Sequence, residues 1–492
     1  MGGQARRKPV KVRGARTLTG RTAVAISNEE YTIFKELESD TLMKFRGIDV
    51  RIYSKEEEMR RLVSLGILIG LFAAAGRAWC ASPAPVTLTM EEALRRALDE
   101  NLSVLAAGKG VTDAQGAKKS AAAGSGPTVF LRGTGTAYDM PQGPDRDAAL
   151  SVGLSETLYA GGRLKAKREQ AALALSSAEH SFQRTREQVA FSVWRAFCDA
   201  LYQQEVCRTA REALDFYEKT EQELIRRVEF GLATHLDRVR VSQQKEDARA
   251  ALIAANNALE SAAISLKTLL RLPPDQPLVL RGTLNDGVPE GGRLNEDAPD
   301  EETVLSRRED YLAKKAQAAA AEKEIQAAAS GLKPTVQVTG AYRFAYDAAG
   351  TPSVNRSDQW TASLSVSVPV FDSGLTSGQV KSAKARRDQA NLALESASDE
   401  IRADLQQARL SLTSALETVE AGRKNLRLAE ESLKYAEAGY KEGVSPQLDV
   451  LQARTELTRA GQSLAGYLRN ARIAQASLWL AQGRMIEQAL GK

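Results

Sequence analysis

The feature that most constrains this chain is an apolar seam running through the region after Gly374. Leu394, Ala397, Ile401, Leu405, Ala408, Leu412, Ala415, Val419, Leu426, Ala429, Leu433, Ala436 and Tyr440 recur in steps of three and four, with Gly422 as the one position skipped. That spacing puts a stripe on one face of a helix, and sustained over many turns it is a coiled-coil seam. A helix of about 65 residues is roughly 100 Å long, whereas globular helices average about a dozen residues. An equivalent run upstream includes Ala190, Trp194, Phe197, Leu201, Ala213, Tyr217, Leu224 and Val228, and Ala-rich stripes return in Ala453, Leu457, Ala460, Leu464 and Leu468. Only 5% of residues are aromatic, which suits long, closely packed helices better than one large compact core.

The seam occurs twice because the chain repeats. Tyr159-Ala160-Gly161-Gly162 aligns with Phe371-Asp372-Ser373-Gly374, and Phe230-Gly231-Leu232-Ala233-Thr234-His235-Leu236-Asp237 aligns with Glu442-Gly443-Val444-Ser445-Pro446-Gln447-Leu448-Asp449, both at a shift of 212. The helix between these landmarks therefore has one length in both halves. Pro127 and Gly133 pair with Pro334 and Gly340 at a shift of 207, and the difference falls between Tyr138 and Ala149, which reads as loop, where length change costs little. Each half reads helix, strand, loop, strand, long helix, tip, long helix. The first repeat spans 86–285, with strands at about 127–138 and 148–159 and long helices at about 163–229 and 236–271. A linker covers 286–300, within a Pro- and Gly-rich stretch from 272 that reads as irregular. The second repeat spans 301–485, with strands at about 334–345 and 359–371 and long helices at about 375–440 and 448–482. Thr89-Met90-Glu91-Glu92-Ala93-Leu94 opens the first repeat as a capped helix start.

The strands alternate. Trp360, Ala362, Leu364, Val366, Val368 and Val370 interleave with Thr361, Ser363, Ser365, Ser367 and Pro369, and Val336, Val338 and Gly340 with Thr335, Gln337 and Thr339. Leu150, Val152 and Leu154 alternate with Ser151, Gly153 and Ser155. One apolar face and one small polar face over about 10 residues is the transmembrane-barrel pattern. Tyr138, Tyr342, Phe344 and Trp360 fall near the loop ends, where an aromatic girdle belongs. Four strands are too few to close a barrel, and open edges cannot sit in hydrocarbon, so several copies must complete the sheet; three copies would give twelve strands.

Met59-Arg60-Arg61, the apolar run Leu62–Phe72 and the small residues through Ala78 read as a signal peptide at 59–78. Residues 1–58 then read as an upstream extension absent from the natural product; the rival reading makes them a cytoplasmic tail before an anchor. That extension with Arg60, Arg61 and Arg77 accounts for the whole net charge of +5, and from position 79 onward acids and bases nearly balance. Nucleic-acid binding thus lacks an electrostatic motive. Cys80 is a candidate for lipidation, although Trp79 stands where a small residue normally precedes a lipidated cysteine. Cys198 and Cys207 are too far apart along one helix to bridge and read as buried small hydrophobes. No cofactor or metal site and no catalytic set is evident: the two histidines, His180 and His235, are far apart, and no phosphate loop or nucleophile triad occurs. The charges along the helices read as a solvated face.

The junctions Leu158–Arg163 and Val368–Gly374, the two tips and the Thr89–Leu94 opening together resemble the TolC-like outer-membrane efflux protein (OEP) family over about 86–485. The resemblance implies a membrane α+β fold: a homotrimer with a twelve-stranded outer-membrane barrel, four strands per chain, continued by a periplasmic helical barrel of coiled-coil hairpins. It implies a passive exit duct of a tripartite efflux or type I secretion system in a Gram-negative cell, with outer-membrane lipid, a periplasmic adaptor (membrane fusion protein) and an inner-membrane transporter as partners. By position, Gly231, Leu232, Ala233, Gly443, Val444 and Ser445 would be adaptor-docking tips, and Asp237, Tyr440, Asp449 and Gln452 would line the periplasmic aperture. Gln452 and Ser445 depart from the family's second inward Asp and bridging Arg. Asp237 and Asp449 also stand near helix starts, where a carboxylate serves as a cap. The alternative reading, a periplasmic coiled-coil adaptor or scaffold, calls for one hairpin and a lipoyl-like domain; the sequence carries two hairpins and no such domain.

Overall fold

The computed structural model describes residues 86–140, 143–286, 288, 300–347 and 359–491. The 1–58 extension, the signal-peptide segment 59–78, Cys80 and most of the 286–300 linker lie outside the described residues. In order, the elements are β1 (Val86–Leu88), α1 (Met90–Glu100), α2 (Leu102–Ala123), β2 (Thr128–Met140), β3 (Gly143–Ala160), α3 (Arg163–Glu229), α4 (His235–Leu269), β4 (Leu278–Leu280), α5 (Glu301–Arg307), α6 (Glu309–Ala328), β5 (Thr335–Asp347), β6 (Gln359–Ser367), α7 (Leu375–Lys441), α8 (Gln447–Ala481) and α9 (Met485–Ala489).

Two helices set the length scale. α3 and α7 have 67 residues each, roughly 100 Å at 1.5 Å per residue. Each starts directly after a glycine held in the left-handed region, Gly162 at φ 89° and Gly374 at φ 86°, a conformation that L side chains avoid. At the second start Asp372 accepts hydrogen bonds from the backbone N–H of Gly374 and of Thr376. The 35-residue α4 and α8 return alongside them. α3 packs on α4 and α8, and α8 on α7, so one stretch is a four-helix layer ordered α4, α3, α8, α7. Nearer the strands α2 and α6 take over the flanking role: α2 packs on α3, and α6 packs on both α3 and α7.

The α7 seam is buried at Ile401, Leu405, Ala408, Leu412 and Val419, which meet Ala471, Ala474 and Leu478 of α8 in one cluster, and again at Leu433, which packs with Val450 and Ala453. Gly422 keeps the seam's phase without a side chain: a Cβ there would meet Cδ2 of Tyr467 at 2.7 Å. The glycine lets the Tyr467 ring lie against the α7 backbone. A second cluster joins Leu94, Ala97, Val193, Trp194, Phe197, Leu266, Leu270, Ala476 and Met485. Trp194 and Trp479 meet edge to face within it, ring centroids 5.3 Å apart. Cys198 and Cys207 are both buried and unbridged.

Three expectations need correcting. The stretch from 138 to 149, read as loop, is largely strand: β2 runs to Met140 and β3 begins at Gly143. The stretch from 272 is not wholly irregular: Leu278–Leu280 pairs in parallel with Val86–Leu88. Three-residue strands so far apart in sequence leave no local pattern to read. The strand expected over 359–371 ends at Ser367, because Pro369 has no N–H for the ladder.

β2, β3, β5 and β6 form one antiparallel sheet in that order. The register puts Val129 opposite Leu154, Leu131 opposite Val152, Val152 opposite Tyr342, Leu154 opposite Gly340, and Val338 opposite Leu364. All these apolar side chains therefore share one face. Thr128, Ser155, Thr339 and Ser363 form a rung on the other.

Candidate functional site

The described residues leave uncovered two regions that a folded chain normally covers. The first is the sheet. Every residue of β6 is exposed. Val129, Leu131, Val152, Leu154, Trp360, Leu364 and Val366 are all exposed on the apolar face. β2 and β6 are edge strands with no partner on their outer sides among the described residues. A bare apolar face with two open edges marks an interaction surface. Tyr342 and Phe344 meet at a tilt of 55°, ring centroids 4.8 Å apart, on this face, and Trp360 is paired with Tyr342.

The second region is the pair of helix tips. After α3 the chain closes with N–H of Gly231 donating to Val228 O and N–H of Leu232 donating to Arg227 O. After α7, Gly443 donates to Tyr440 O and Val444 to Gly439 O. Both are Schellman caps, which require a left-handed residue; Gly231 has φ 68° and Gly443 φ 74°. Each cap thrusts apolar side chains into solvent, with Phe230 78%, Leu232 74% and Val444 82% exposed. Gly231 and Gly443 are exposed as well, whereas Ala233 and Ser445 are half-buried.

The next residues divide the tips. Thr234 caps α4 in a reciprocal box: its Oγ1 accepts from the Asp237 N–H at 3.2 Å, and Asp237 Oδ2 accepts from the Thr234 N–H at 3.3 Å and hydroxyl at 2.6 Å. Asp237 is therefore committed to its own helix start. α8 begins after Pro446 with no side-chain cap. Asp449 and Gln452 are exposed, and Asp449 makes no side-chain hydrogen bond or ion pair among the described residues. Tyr440 is half-buried, and the Arg227 guanidinium lies 5.0 Å from its ring centroid. This contact joins the ends of the two long helices. Arg227 also pairs with Glu223 at 3.2 Å. The structure thus brings Tyr440 to Arg227 and gives Asp237 a cap partner, while Asp449 and Gln452 stand apart from both.

One cluster of charges escaped the sequence reading. The helix charges are not all a solvated face. Arg308, 2% exposed, grips Asp310 with Nε–Oδ1 2.9 Å and Nη2–Oδ2 2.6 Å and donates to Ala481 O at 3.1 Å. Buried Glu187 accepts from Arg184 at 3.1 Å, and Arg184 Nε lies 3.3 Å from Asp310 Oδ2. This belt ties α3 to the start of α6 and the end of α8. Burial pushes the Glu187 carboxyl up despite Arg184 beside it. Burial also acts on Asp310, but Arg308 and Arg184 outweigh it and hold that carboxyl below its usual range. His180 Nδ1 lies 2.6 Å from Glu309 at the belt's margin. Burial raises the Cys198 thiol to about 11, which leaves it unreactive at neutral pH.

Comparison with known proteins agrees with this architecture. The family model described as outer membrane efflux protein matches residues 93–270 and 302–484. The outer membrane protein OprJ of Pseudomonas aeruginosa is 26% identical over 312 residues, covering 61% of this chain and 58% of OprJ. Among solved structures, the CusC channel aligns with TM-score 0.72 at 19% identity, covering 82% of this chain and 94% of that one. VceC of Vibrio cholerae aligns with TM-score 0.69 at 20% identity, covering 80% and 96%. The open MtrE channel of Neisseria gonorrhoeae aligns with TM-score 0.70 at 22% identity, covering 81% and 89%. At these identities the likeness is one of fold.

Proposed function

Because the chain belongs to the outer membrane efflux protein family, a family of Gram-negative outer-membrane channels rather than enzymes, we propose that it is the passive exit duct of a tripartite efflux or type I secretion system. Three copies of the four-stranded sheet close a twelve-stranded barrel, and the two helical hairpins of each copy, related by internal duplication, continue it into the periplasm. Residues 59–78 act as the signal peptide, and 1–58 are not part of the mature protein. An inner-membrane transporter supplies the energy, and a periplasmic adaptor docks at the tips.

The observation that carries this reading is the sheet. It offers an apolar face from Val129 to Val366, a polar face opposite, and two unpaired edges. Each unpaired backbone group left in hydrocarbon costs several kcal/mol, so the sheet is stable in a membrane only when other copies close it. The exposed Phe230, Leu232 and Val444 support docking of a helical partner at the tips. Asp449, exposed and uncapped, supports a carboxylate ring at the aperture once three copies meet, since such rings favour cations; Gln452, one turn on, extends that wall.

The test is extraction followed by conductance. The protein should leave membranes only with detergent and have the mass of a trimer there. A soluble monomer, stable without amphiphile, overturns the duct. In planar bilayers, Asp449→Ala should reduce cation selectivity and divalent block, and Gln452→Asp should increase both. If neither changes, the aperture assignment fails while the duct stands.

A further inference from the structure

The polar face of the sheet is not uniform. Its lower rungs carry small hydroxyls and one amide: Thr128, Ser155, Thr339 and Ser363 on one, with Gln337 and Ser365 on the rung nearer the helices. One rung differs. Arg132 is opposite Ser151, Ser151 opposite Arg343, and Arg343 opposite Gln359. Two exposed arginines thus stand at one level, separated by a single strand, about 10 Å between backbones. No carboxylate shares that rung.

The neighbouring rung supports one of them. Phe130 is opposite Gly153, and a Cβ on Gly153 would meet the Phe130 Cζ at 2.4 Å. The glycine therefore makes the space in which the ring lies across β3. The Arg132 guanidinium sits 5.4 Å from that ring's centroid, a cation–π contact that draws it toward the helix end of the strand. In the strand register, Asp145, Asp147 and Asp347 come after the arginines, toward the loop end.

We propose that Arg132 and Arg343 form an anion-binding rung on the wall of the barrel, six guanidinium groups in the closed trimer, taking anionic solutes that carry carboxylate, sulfonate or phosphate groups. The inference rests on the duct reading, which puts this face toward water. Guanidinium forks suit such groups because they donate two parallel hydrogen bonds. Ser151 lies between the two arginines with its hydroxyl donating to Arg132 O at 3.3 Å, so the space between them is lined by small groups. The rung favours anions at its own level of the duct, opposite in sign to an aspartate ring at the far end.

The probe is a fluorescent pyrene trisulfonate titrated by anisotropy against the detergent-purified full chain, with the mass of the same sample measured in parallel. The wild type should bind the dye as a trimer, and more weakly as salt rises. The Arg132→Gln, Arg343→Gln double variant should remain a trimer and bind about ten-fold or more weakly, the loss expected for charge-assisted hydrogen bonds. The Arg132→Lys, Arg343→Lys variant, which keeps the charge but loses the fork, should bind more weakly than the wild type and more tightly than the Gln variant. Trimers of wild type and Gln variant that bind the dye equally overturn the rung and leave the duct intact. A wild type that is monomeric in detergent overturns the duct and the rung with it.

Discussion

The two helix tips close with the same cap and then part company. Both turn on a left-handed glycine with paired Schellman hydrogen bonds, Gly231 in one and Gly443 in the other. Beyond it, the first tip invests its aspartate in holding α4: Thr234 and Asp237 satisfy each other's backbone N–H groups. The second tip places Pro446 where the threonine would be, and its aspartate, Asp449, is left exposed. One hydroxyl therefore decides whether a carboxylate serves structure or is free for other work. A proline also fixes its own φ, so the second tip gains in chain stiffness what it lacks in hydrogen bonds.

The largest expected effect strikes what the tips share. Gly231→Val and Gly443→Val each force a β-branched residue to positive φ, at a cost of about 1–2 kcal/mol or more. The two costs should be similar, read as faster amide exchange in the last turns of α3 and α7. A large inequality would mean that the caps are not equivalent. A smaller effect separates the tips. Thr234→Ala should cost about 1 kcal/mol and free Asp237, with exchange rising at the start of α4. Pro446→Thr should do the reverse, since Asp449 stands three residues on, where a box partner belongs. It should slow exchange at the start of α8 and, by engaging the Asp449 carboxylate, reproduce part of the loss of cation selectivity expected of Asp449→Ala. If Pro446→Thr protects the helix start yet leaves selectivity unchanged, the free carboxylate is not what sets the aperture.

Much of this frame was legible in the sequence because it is written in local period. The α7 seam, the glycines at each tip and the alternation in β6 are properties of neighbouring residues, and neighbouring residues determine them. Thr234 and Asp237 can be read the same way, as a box with an aspartate in its third place. What was missed depends on meetings between distant segments. β1 and β4 are too short to show a pattern. Arg308, Glu187 and Arg184 carry the same charges as their solvated neighbours, and only the packing of α3 against α6 and α8 buries the first two and half-buries the third. The arginine rung needed the pairing register: Arg132 and Arg343 are ordinary polar-face residues until β3 puts both opposite Ser151.

The Arg227–Tyr440 contact has the same character, and its test has the smallest expected effect. Under the 212-residue shift Arg227 corresponds to Gly439 and Tyr440 to Val228, so each tip supplies one partner and neither can make the contact alone. At Gly439 a Cβ would meet the Ser445 Oγ at 2.6 Å; the second tip folds its serine into the space that the first gives to an arginine side chain. A cation–π contact at a half-exposed site contributes about 0.5–1 kcal/mol. Arg227→Ala and Tyr440→Ala should each loosen the ends of α3 and α7 by about that amount, and the double variant should cost no more than the larger single one, because the shared term is lost once. Costs that simply add would mean that Arg227 is held by Glu223 on its own helix and that the two tips are independent.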